Sequence, residues 1–315
     1  MNWTKALPAA REVDLTALWQ RLRRSDIPAA ILFLFPALVI LSVFNFYPIA
    51  AVLRLSLYKW DNLGPVKTFI GLANYQALLR SDRFWNSIVV TLEYTVAVTA
   101  LSIAAGLVLA VLLNNRRLVL RSFWRSLYFL PSVTPTVAAA MVWMLIFNPS
   151  FGYANVLLRL LGIQGPNWLA DQAWALPTLM LLGVWRRLGF NFIIYLAALQ
   201  AIPSDYYESA EVDGANAWQR FLRITVPLVN PTTVMLVILG VIDSFLVFDQ
   251  VMVLTRGGPA NATEVIGFWM YLNAFSFFKM GYGAAISVVM FLVIAAFTVL
   301  QWRFVGFGRG EIENV

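Results

Sequence analysis

The sequence contains neither cysteine nor histidine, and only 12% of its 315 residues are charged. The absence of both residue types excludes disulfides, thiolate nucleophiles, Cys/His metal sites and histidine proton relays. The chain also has no G-x-x-x-x-G-K-[ST] segment, the loop that binds nucleotide phosphates. We therefore predict no catalytic residue and no metal site in this chain.

Apolar residues make up 60% of the sequence, well above the share in an ordinary soluble domain. A net charge of +7 is compatible with a nucleic-acid partner, but the basic residues lie mainly in short segments between hydrophobic runs. Membrane topology explains that distribution, because positive residues collect on the cytoplasmic side of a membrane. We expect no nucleic-acid partner.

Six apolar segments are long enough to cross a bilayer, which takes roughly 20 mostly apolar residues in a helix. No series of short alternating strands suggests a barrel, so the predicted fold class is all-α, a polytopic membrane protein of about six transmembrane helices. The predicted spans are residues 27–46, 86–113, 126–147, 175–199, 231–254 and 281–302.

Basic residues are more numerous in the segments that lie inside if residues 1–26 form a cytoplasmic tail. Those 26 residues lack the cleavage site of a signal peptide. Six crossings then return residues 303–315 to the cytoplasm. The transmembrane domain, residues 27–302, lies between the two cytoplasmic tails. Segment 47–85 becomes an external loop, and its turn residues predict a folded cap. We expect a multi-pass membrane protein with both termini in the cytoplasm.

Segment 200–230 is the most structured of the predicted cytoplasmic segments. Ser204 is a good N-cap for a short helix that ends near Asp213 and Gly214, since glycine permits the left-handed turn out of a helix. A second short helix is predicted from Asn216 to Ile224, with one apolar face, and Pro227 is expected to stop it. Such a pair can dock onto a partner protein or rest on lipid headgroups.

The residues of this segment closely resemble the EAA loop of permeases from binding-protein-dependent ABC importers. Only Ser209 departs from that pattern, at a position where the family usually has alanine. The positions that align with the pattern, Ser209 included, are Glu208, Ser209, Ala210, Asp213, Gly214, Ala215, Phe221, Ile224 and Pro227. Residues 71–95, 125–135 and 254–263 also resemble the first permease subunit of carbohydrate importers of the maltose and glycerol-phosphate types.

The resemblance implies a complex with a second homologous permease subunit, two cytoplasmic ATPase subunits and an external solute-binding protein. It implies a carbohydrate or related polar solute, no cofactor in this chain, and ATP and Mg in the ATPase subunits. This chain would not be an enzyme. The EAA loop would fit into a cleft of the ATPase and couple hydrolysis to alternating access.

Within that loop the resemblance assigns each residue a role. Glu208 and Asp213 would make polar contacts or caps, and Gly214 would permit the turn. Ala210 and Ala215 would keep the loop slim, while Phe221 and Ile224 would anchor the second helix.

Charged and polar residues inside the predicted spans are energetically unfavourable in lipid, so each should face protein or water. They line a solute path or form structural pairs, and the candidates for the path are Glu93, Arg187, Asn191, Asp243 and Asp249. Asn191 follows Arg187 by one helical turn and should share its face. Asp243 and Asp249 should point in different directions on a straight helix, which argues against one common site.

Two alternatives start from the same residues. The intramembrane carboxylates would suit an ion-gradient-driven secondary transporter of a polar solute, although no inverted repeat is evident. An intramembrane enzyme would need a cluster of catalytic groups, and none occurs at a convincing spacing. The identity of the solute stays open among sugars, polyols and glycerophosphate-like molecules.

Overall fold

The computed structural model describes residues 27–61, 64, 67–115 and 118–305, and this part of the chain is largely helical. Four helical stretches are long and apolar enough to cross a membrane, namely Ala30–Leu55, Asp82–Asn114, Gln172–Ala201 and Met280–Gln301. Two bent helix pairs raise the number to six if each pair crosses once. The predicted all-α polytopic fold is confirmed. The predicted tail 1–26 and residues 306–315 lie outside the described residues.

The chain divides into two compact units after Arg54. The described part of the first unit is one helical run, formed by α1 (Ile27–Leu41), a π turn (Ser42–Phe46) and the start of α2 (Tyr47–Leu55). The prediction that this span ends at residue 46 is wrong, because Pro48 does not end the helix. In the wider turn before it, the Tyr47 N–H donates to the Ser42 carbonyl, which accommodates the proline.

The second unit opens with a short antiparallel hairpin of β1 (Tyr58–Lys59) and β2 (Thr68–Phe69), in which Tyr58 pairs with Phe69. Helix α3 (Ala73–Leu79) follows, and its Asn74 Nδ2 donates to the Ser56 and Tyr58 carbonyls at 2.8 and 3.0 Å. This part of segment 47–85 is therefore folded, as its turn residues predict. Its external location stays a prediction.

Two long helices form the centre of the second unit, α4 (Asp82–Asn114) and α8 (Gln172–Ala201), and they pack along much of their length. Ser81 caps α4 by accepting the Phe84 N–H, and Asp171 caps α8 by accepting the Ala173 N–H at 2.8 Å. At the crossing, a Cβ on Gly106 would lie 2.8 Å from the Asn191 Cβ. Only glycine permits this approach.

The third predicted span, 126–147, is not one helix. Helices α5 (Arg121–Val133) and α6 (Thr136–Ile146) meet at an angle of 100°. The cause is Pro135, since its ring excludes a helical conformation from the preceding Thr134, which is extended at ψ 130°. Helix α7 (Tyr153–Leu160) follows α6.

Short helices follow α8, and their bounds are α9 (Asp205–Val212), α10 (Ala217–Arg220), a π turn (Phe221–Thr225), α11 (Val226–Leu228), α12 (Asn230–Phe245) and α13 (Asp249–Leu254). The predicted fifth span, 231–254, is therefore interrupted at residues 246–248. At about 1.5 Å per residue, the 16 residues of α12 are too short to cross a bilayer alone.

The last elements are α14 (Ile266–Tyr271), a π turn (Leu272–Ser276) and α15 (Met280–Val305). Helix α14 is buried from Ile266 to Trp269 and was not predicted from the sequence. Its six residues are too few to show a helical period. Apolar side chains of the second unit form three buried clusters, centred near Tyr94, Phe84 and Tyr195.

Candidate functional site

The turn between α9 and α10 depends on Gly214, whose φ is +79°. The Gly214 N–H donates to the Glu211 carbonyl at 3.1 Å, and the Ala215 N–H donates to the Ala210 carbonyl at 2.9 Å. These two bonds form the Schellman motif that ends a helix at a left-handed glycine. A Cβ on Gly214 would have no atom within 4 Å, so the requirement for glycine is conformational rather than steric.

Helix α9 begins at Asp205, with Ser204 at the N-cap position. The Ser204 hydroxyl makes no capping bond to a backbone N–H, so this part of the prediction is wrong. The second helix is capped more completely, because the Asn216 side chain accepts the Gln219 N–H at 2.9 Å and the Gln219 side chain accepts the Asn216 N–H at 2.8 Å. Together these bonds form a capping box.

Pro227 does not stop the second helix. The π turn before it lets the Val226 N–H donate to the Phe221 carbonyl, and the helix continues to Leu228. The chain bends at Val229 by 64° and enters α12 directly. The second short helix therefore leads into α12, separated from it only by the bend at Val229.

We call residues 204–228 the helix pair. Its two halves are joined by an ion pair between Arg220 and Glu211 at 2.9 Å and by a 3.0 Å hydrogen bond between Tyr207 and Thr225. Most of its surface is not covered by other described residues of this chain, and Val212 is 89% exposed.

The residues that resemble the EAA pattern divide by exposure. Glu208, Ser209, Asp213, Gly214 and Pro227 are exposed, whereas Ala210, Ala215, Phe221 and Ile224 are partly buried. Trp218, one position before the capping-box Gln219, is also exposed and stacks on Phe221 at 5.5 Å between ring centroids.

At the far end of α12 lies the central cavity, with a volume of about 470 Å³. Helices α4, α5, α6, α8, α12 and α13 contribute to its wall. The helices approach closely here because of two glycines: a Cβ on Gly183 would lie 2.2 Å from the Tyr94 hydroxyl, and one on Gly189 would lie 2.5 Å from the Tyr128 carbonyl.

Two arginines and two aspartates line the central cavity, Arg186, Arg187, Asp243 and Asp249. Arg187 forms an ion pair with Asp243. The Nε atoms of both arginines and Nη2 of Arg187 are buried and have no hydrogen-bond partner among the residues that the structure describes. Unpaired donors of this kind are costly unless water or a polar ligand occupies the cavity.

Three of the five residues predicted for the solute path line this cavity, Arg187, Asp243 and Asp249. The expectation that Asp243 and Asp249 face different ways is wrong, because the helix breaks between them and both line the same space.

The other two residues are not part of the central cavity. Glu93 is exposed on the outside of α4. Asn191 is fully buried and donates to the Ser102 hydroxyl at 3.0 Å, one turn away from Arg187 but outside the cavity wall.

Sequence reasoning missed Tyr94 and Gln250, which line the cavity and are hydrogen-bonded to each other across α4 and α13. Gln250 is 1% exposed. A glutamine next to Asp249 in an apolar run was a usable signal, because a buried amide needs partners.

The family model described as "Binding-protein-dependent transport system inner membrane component" matches residues 102–305. The chain is 35% identical to the trehalose/maltose transport system permease protein MalF of Thermococcus litoralis, over 93% of this chain and 98% of that protein. It is 37% identical to the inner membrane ABC transporter permease protein YcjO of Escherichia coli, over 88% and 94%.

Among solved structures, the fold is similar to a chain of a bacterial ABC transporter that imports the acidic polysaccharide alginate. The TM-score is 0.78 with 24% sequence identity, over 92% of this chain and 98% of that one. No relative supports the ion-gradient-driven alternative.

Proposed function

This chain belongs to the family of binding-protein-dependent transport system inner membrane components and is a permease subunit of an ABC importer, and from that premise we propose its place in the transport cycle. It forms half of the path for a sugar or related polar solute through the central cavity. The helix pair couples that path to a separate ATPase. The chain lies in the inner membrane with both termini in the cytoplasm.

The partners follow from the same proposal. A second homologous permease provides the other half of the path, two ATPase subunits bind ATP and Mg, and an external binding protein delivers the solute. The T. litoralis relative is named for trehalose and maltose, and the AraP relative of Bacillus subtilis, 33% identical, for arabinooligosaccharides. A structural neighbour of 23% identity is an alginate transporter in complex with its pentasaccharide-bound periplasmic protein.

The observation that supports coupling most strongly is the continuity of the chain from the helix pair to the central cavity. Residues Ala217–Leu228 lead through the bend at Val229 into α12, and α12 carries Asp243 near its far end. A displacement of the exposed helix pair therefore reaches the Arg187–Asp243 ion pair through one helix. Hydrolysis in a partner can open and close the cavity by this route.

The experiment compares variants of Gly214 in the complete transporter in proteoliposomes, with uptake and ATP hydrolysis measured together. Gly214→Val places a β-branched residue in the left-handed conformation, which costs about 1–2 kcal/mol or more. We expect the Schellman turn to open and uptake per ATP hydrolysed to fall by about tenfold, the factor for roughly 1.4 kcal/mol. Gly214→Asn should retain coupling, since asparagine tolerates this conformation.

Gly162 is the matched control. It has φ +76°, its added Cβ would also meet no atom within 4 Å, and it ends α7 with the same pair of backbone bonds. We expect Gly162→Val to leave uptake per ATP unchanged. Normal coupling in Gly214→Val, or equal losses in Gly214→Val and Gly162→Val, would contradict the proposed role of the helix pair.

A further inference from the structure

A second cavity, of about 810 Å³, lies between the β1–β2 hairpin, α3 and the starts of α4 and α15, and we call it the hairpin cavity. It shares no lining residue with the central cavity. Its volume is within the range of small-molecule sites, about 300–1,000 Å³. The lining combines aromatic rings, amides and positive charges, as a binding site for a polar ring compound requires.

The walls of the hairpin cavity are held together by specific contacts. The Gly281 N–H at the start of α15 donates to the Trp60 carbonyl of the hairpin at 3.3 Å. A Cβ on Gly281 would lie 1.9 Å from the Tyr58 carbonyl, so the two elements touch at this point. Asn74 of α3 adds its two bonds to the same hairpin. The cavity is thus preformed rather than a gap between unconnected loops.

Positive charge dominates the lining, which contains Lys59, Arg83 and Lys279 against the single carboxylate of Asp61. Arg83 binds Glu264 through two hydrogen bonds, at 2.7 and 2.5 Å. Within the described residues neither lysine has an ion-pair partner. Two lysines therefore face one carboxylate, and such an excess of positive charge in a cleft attracts anionic ligands.

The lining also contains the amide of Asn273 and five aromatic rings. Asn273 is 5% exposed and donates its Nδ2 to the Trp269 carbonyl, while its Oδ1 has no hydrogen-bond partner in the described part of the chain. The rings are Trp60, Trp269, Phe277, Phe278 and Tyr282. Aromatic faces pack on the apolar faces of sugar rings, and a free amide oxygen can accept from a sugar hydroxyl.

The backbone at Phe278 is strained, with φ +57°, an unusual conformation for a bulky residue. The neighbouring Phe277 and Phe278 side chains are nonetheless 49% and 42% exposed, so packing does not explain the strain. Strain of this kind tends to occur at binding sites, where it holds a side chain in place.

We propose that the hairpin cavity binds a saccharide unit that carries a carboxylate or phosphate group. Lys59 and Lys279 bind the anionic group, Asn273 accepts from a hydroxyl and the aromatic rings pack on the sugar. The inference rests on the proposed function in one respect. If the chain is half of an importer, the solute reaches the outer face, and the hairpin cavity, before it enters the central cavity. Binding itself requires neither ATP nor the external binding protein.

The test is calorimetric titration of the complete transporter in lipid nanodiscs, without ATP or binding protein. Glucuronate and glucose form one matched pair of probes, which differ by a carboxylate group. Glucose 6-phosphate tests whether a phosphate group can provide the negative charge instead. We expect at least one of the two anions to bind at least tenfold more tightly than glucose. The double variant Lys59→Gln/Lys279→Gln should lower the affinity for that anion to the level of glucose.

Lys67→Gln is the matched control, because Lys67 lies in the same hairpin, 4.1 Å above the Trp60 ring, but does not line the cavity. We expect it to bind like the wild type. Phe278→Gly separates folding from binding, since it relieves the left-handed strain while it removes a ring. Its thermal stability should be equal or higher, and its affinity for the anion at least threefold lower.

Several results would overturn the inference: no binding of either anion, equal affinity for the anions and glucose, or full affinity in the double variant. Equal losses in the double variant and in Lys67→Gln would do the same. A double variant that binds the anion normally but no longer binds the external binding protein would identify the lysines as a protein contact instead. None of these outcomes depends on coupling through Gly214.

Discussion

Arg187 and Asp243 form the ion pair at the centre of the proposed path, and the two residues differ in their surroundings. The Arg187 side chain is 10% exposed and the Asp243 side chain 65%. A structural pair and a pair that binds solute make different predictions for a double substitution. If the pair is only structural, removing both charges together leaves no unpaired buried charge, and uptake should recover. If the pair binds solute, uptake requires the charged groups themselves.

Asp243→Asn leaves the largely buried Arg187 without its partner. Breaking a fully buried pair costs about 3–5 kcal/mol, and the exposure of Asp243 reduces that figure here. We expect a lower unfolding temperature and a loss of uptake. The double variant Arg187→Gln/Asp243→Asn should regain thermal stability, while its uptake stays below about a tenth of the wild-type rate, as for a lost interaction of about 1.4 kcal/mol or more.

Uptake that recovers together with stability in the double variant would make the pair structural only. Unchanged stability and uptake in Asp243→Asn would show that the ion pair has neither a structural nor a solute-binding role. The unfolding temperature is measured by intrinsic tryptophan fluorescence, and uptake in proteoliposomes.

Among single residues, Gly214 was predictable because a left-handed helix end needs glycine whatever surrounds it. The shared cavity of Asp243 and Asp249 was not predictable, since it depends on a helix break at residues 246–248 that contains neither proline nor glycine. The local backbone conformation determines the need for glycine at position 214, whereas tertiary packing determines the helix break at residues 246–248.

Among the elements, the segment between α13 and α14 is attached to the start of α4 by side chains. Glu264 is 1% exposed and accepts two hydrogen bonds from Arg83, while the Asn86 Nδ2 donates to the Asn261 carbonyl at 3.1 Å. Thr263 adds local bonds to Thr255 and to the Gly258 carbonyl. These contacts hold residues 255–265 in one conformation.

Arg83→Gln should release this segment, because it leaves the buried Glu264 carboxylate without its cation. We expect backbone amides of residues 255–265 to exchange with deuterium at least about tenfold faster, which corresponds to roughly 1.4 kcal/mol of local stability. Arg80→Gln is the matched control, since exposed Arg80 forms no ion pair with a described residue. Equal exchange in the two variants would show that the ion pair does not hold the segment.

At the level of elements, long apolar runs predicted the helices and missed where they bend. Asp82–Asn114, Gln172–Ala201 and Met280–Val305 each contain a predicted span. The two interrupted spans were drawn as straight because apolar composition alone does not show a turn. Pro135 is the exception, since its effect on the preceding residue is local and could have been used.

At the scale of the whole molecule, the exposed helix pair and the central cavity lie at opposite ends of α12. In the proposed function a partner supplies ATP hydrolysis, and the sequence of this chain has no nucleotide-binding loop of the usual kind. The helix pair could be predicted because its glycine, its charges and its resemblance to the EAA loop are local features of the sequence. The cavity has no such local signal, since its wall comes from six separate helices.

The proposed contact between the helix pair and the ATPase can be tested by cross-linking, because this chain has no native cysteine that would also react. Val212→Cys, in the helix pair, and Leu161→Cys, at the end of α7, replace residues that are 89% and 75% exposed. Each variant is labelled with a maleimide photo-crosslinker in the complete transporter and irradiated, and the products are identified by mass spectrometry. We expect a cross-link to the ATPase subunit from Val212→Cys and none from Leu161→Cys. A cross-link from Leu161→Cys, or none from Val212→Cys, would show that the helix pair is not the contact with the ATPase.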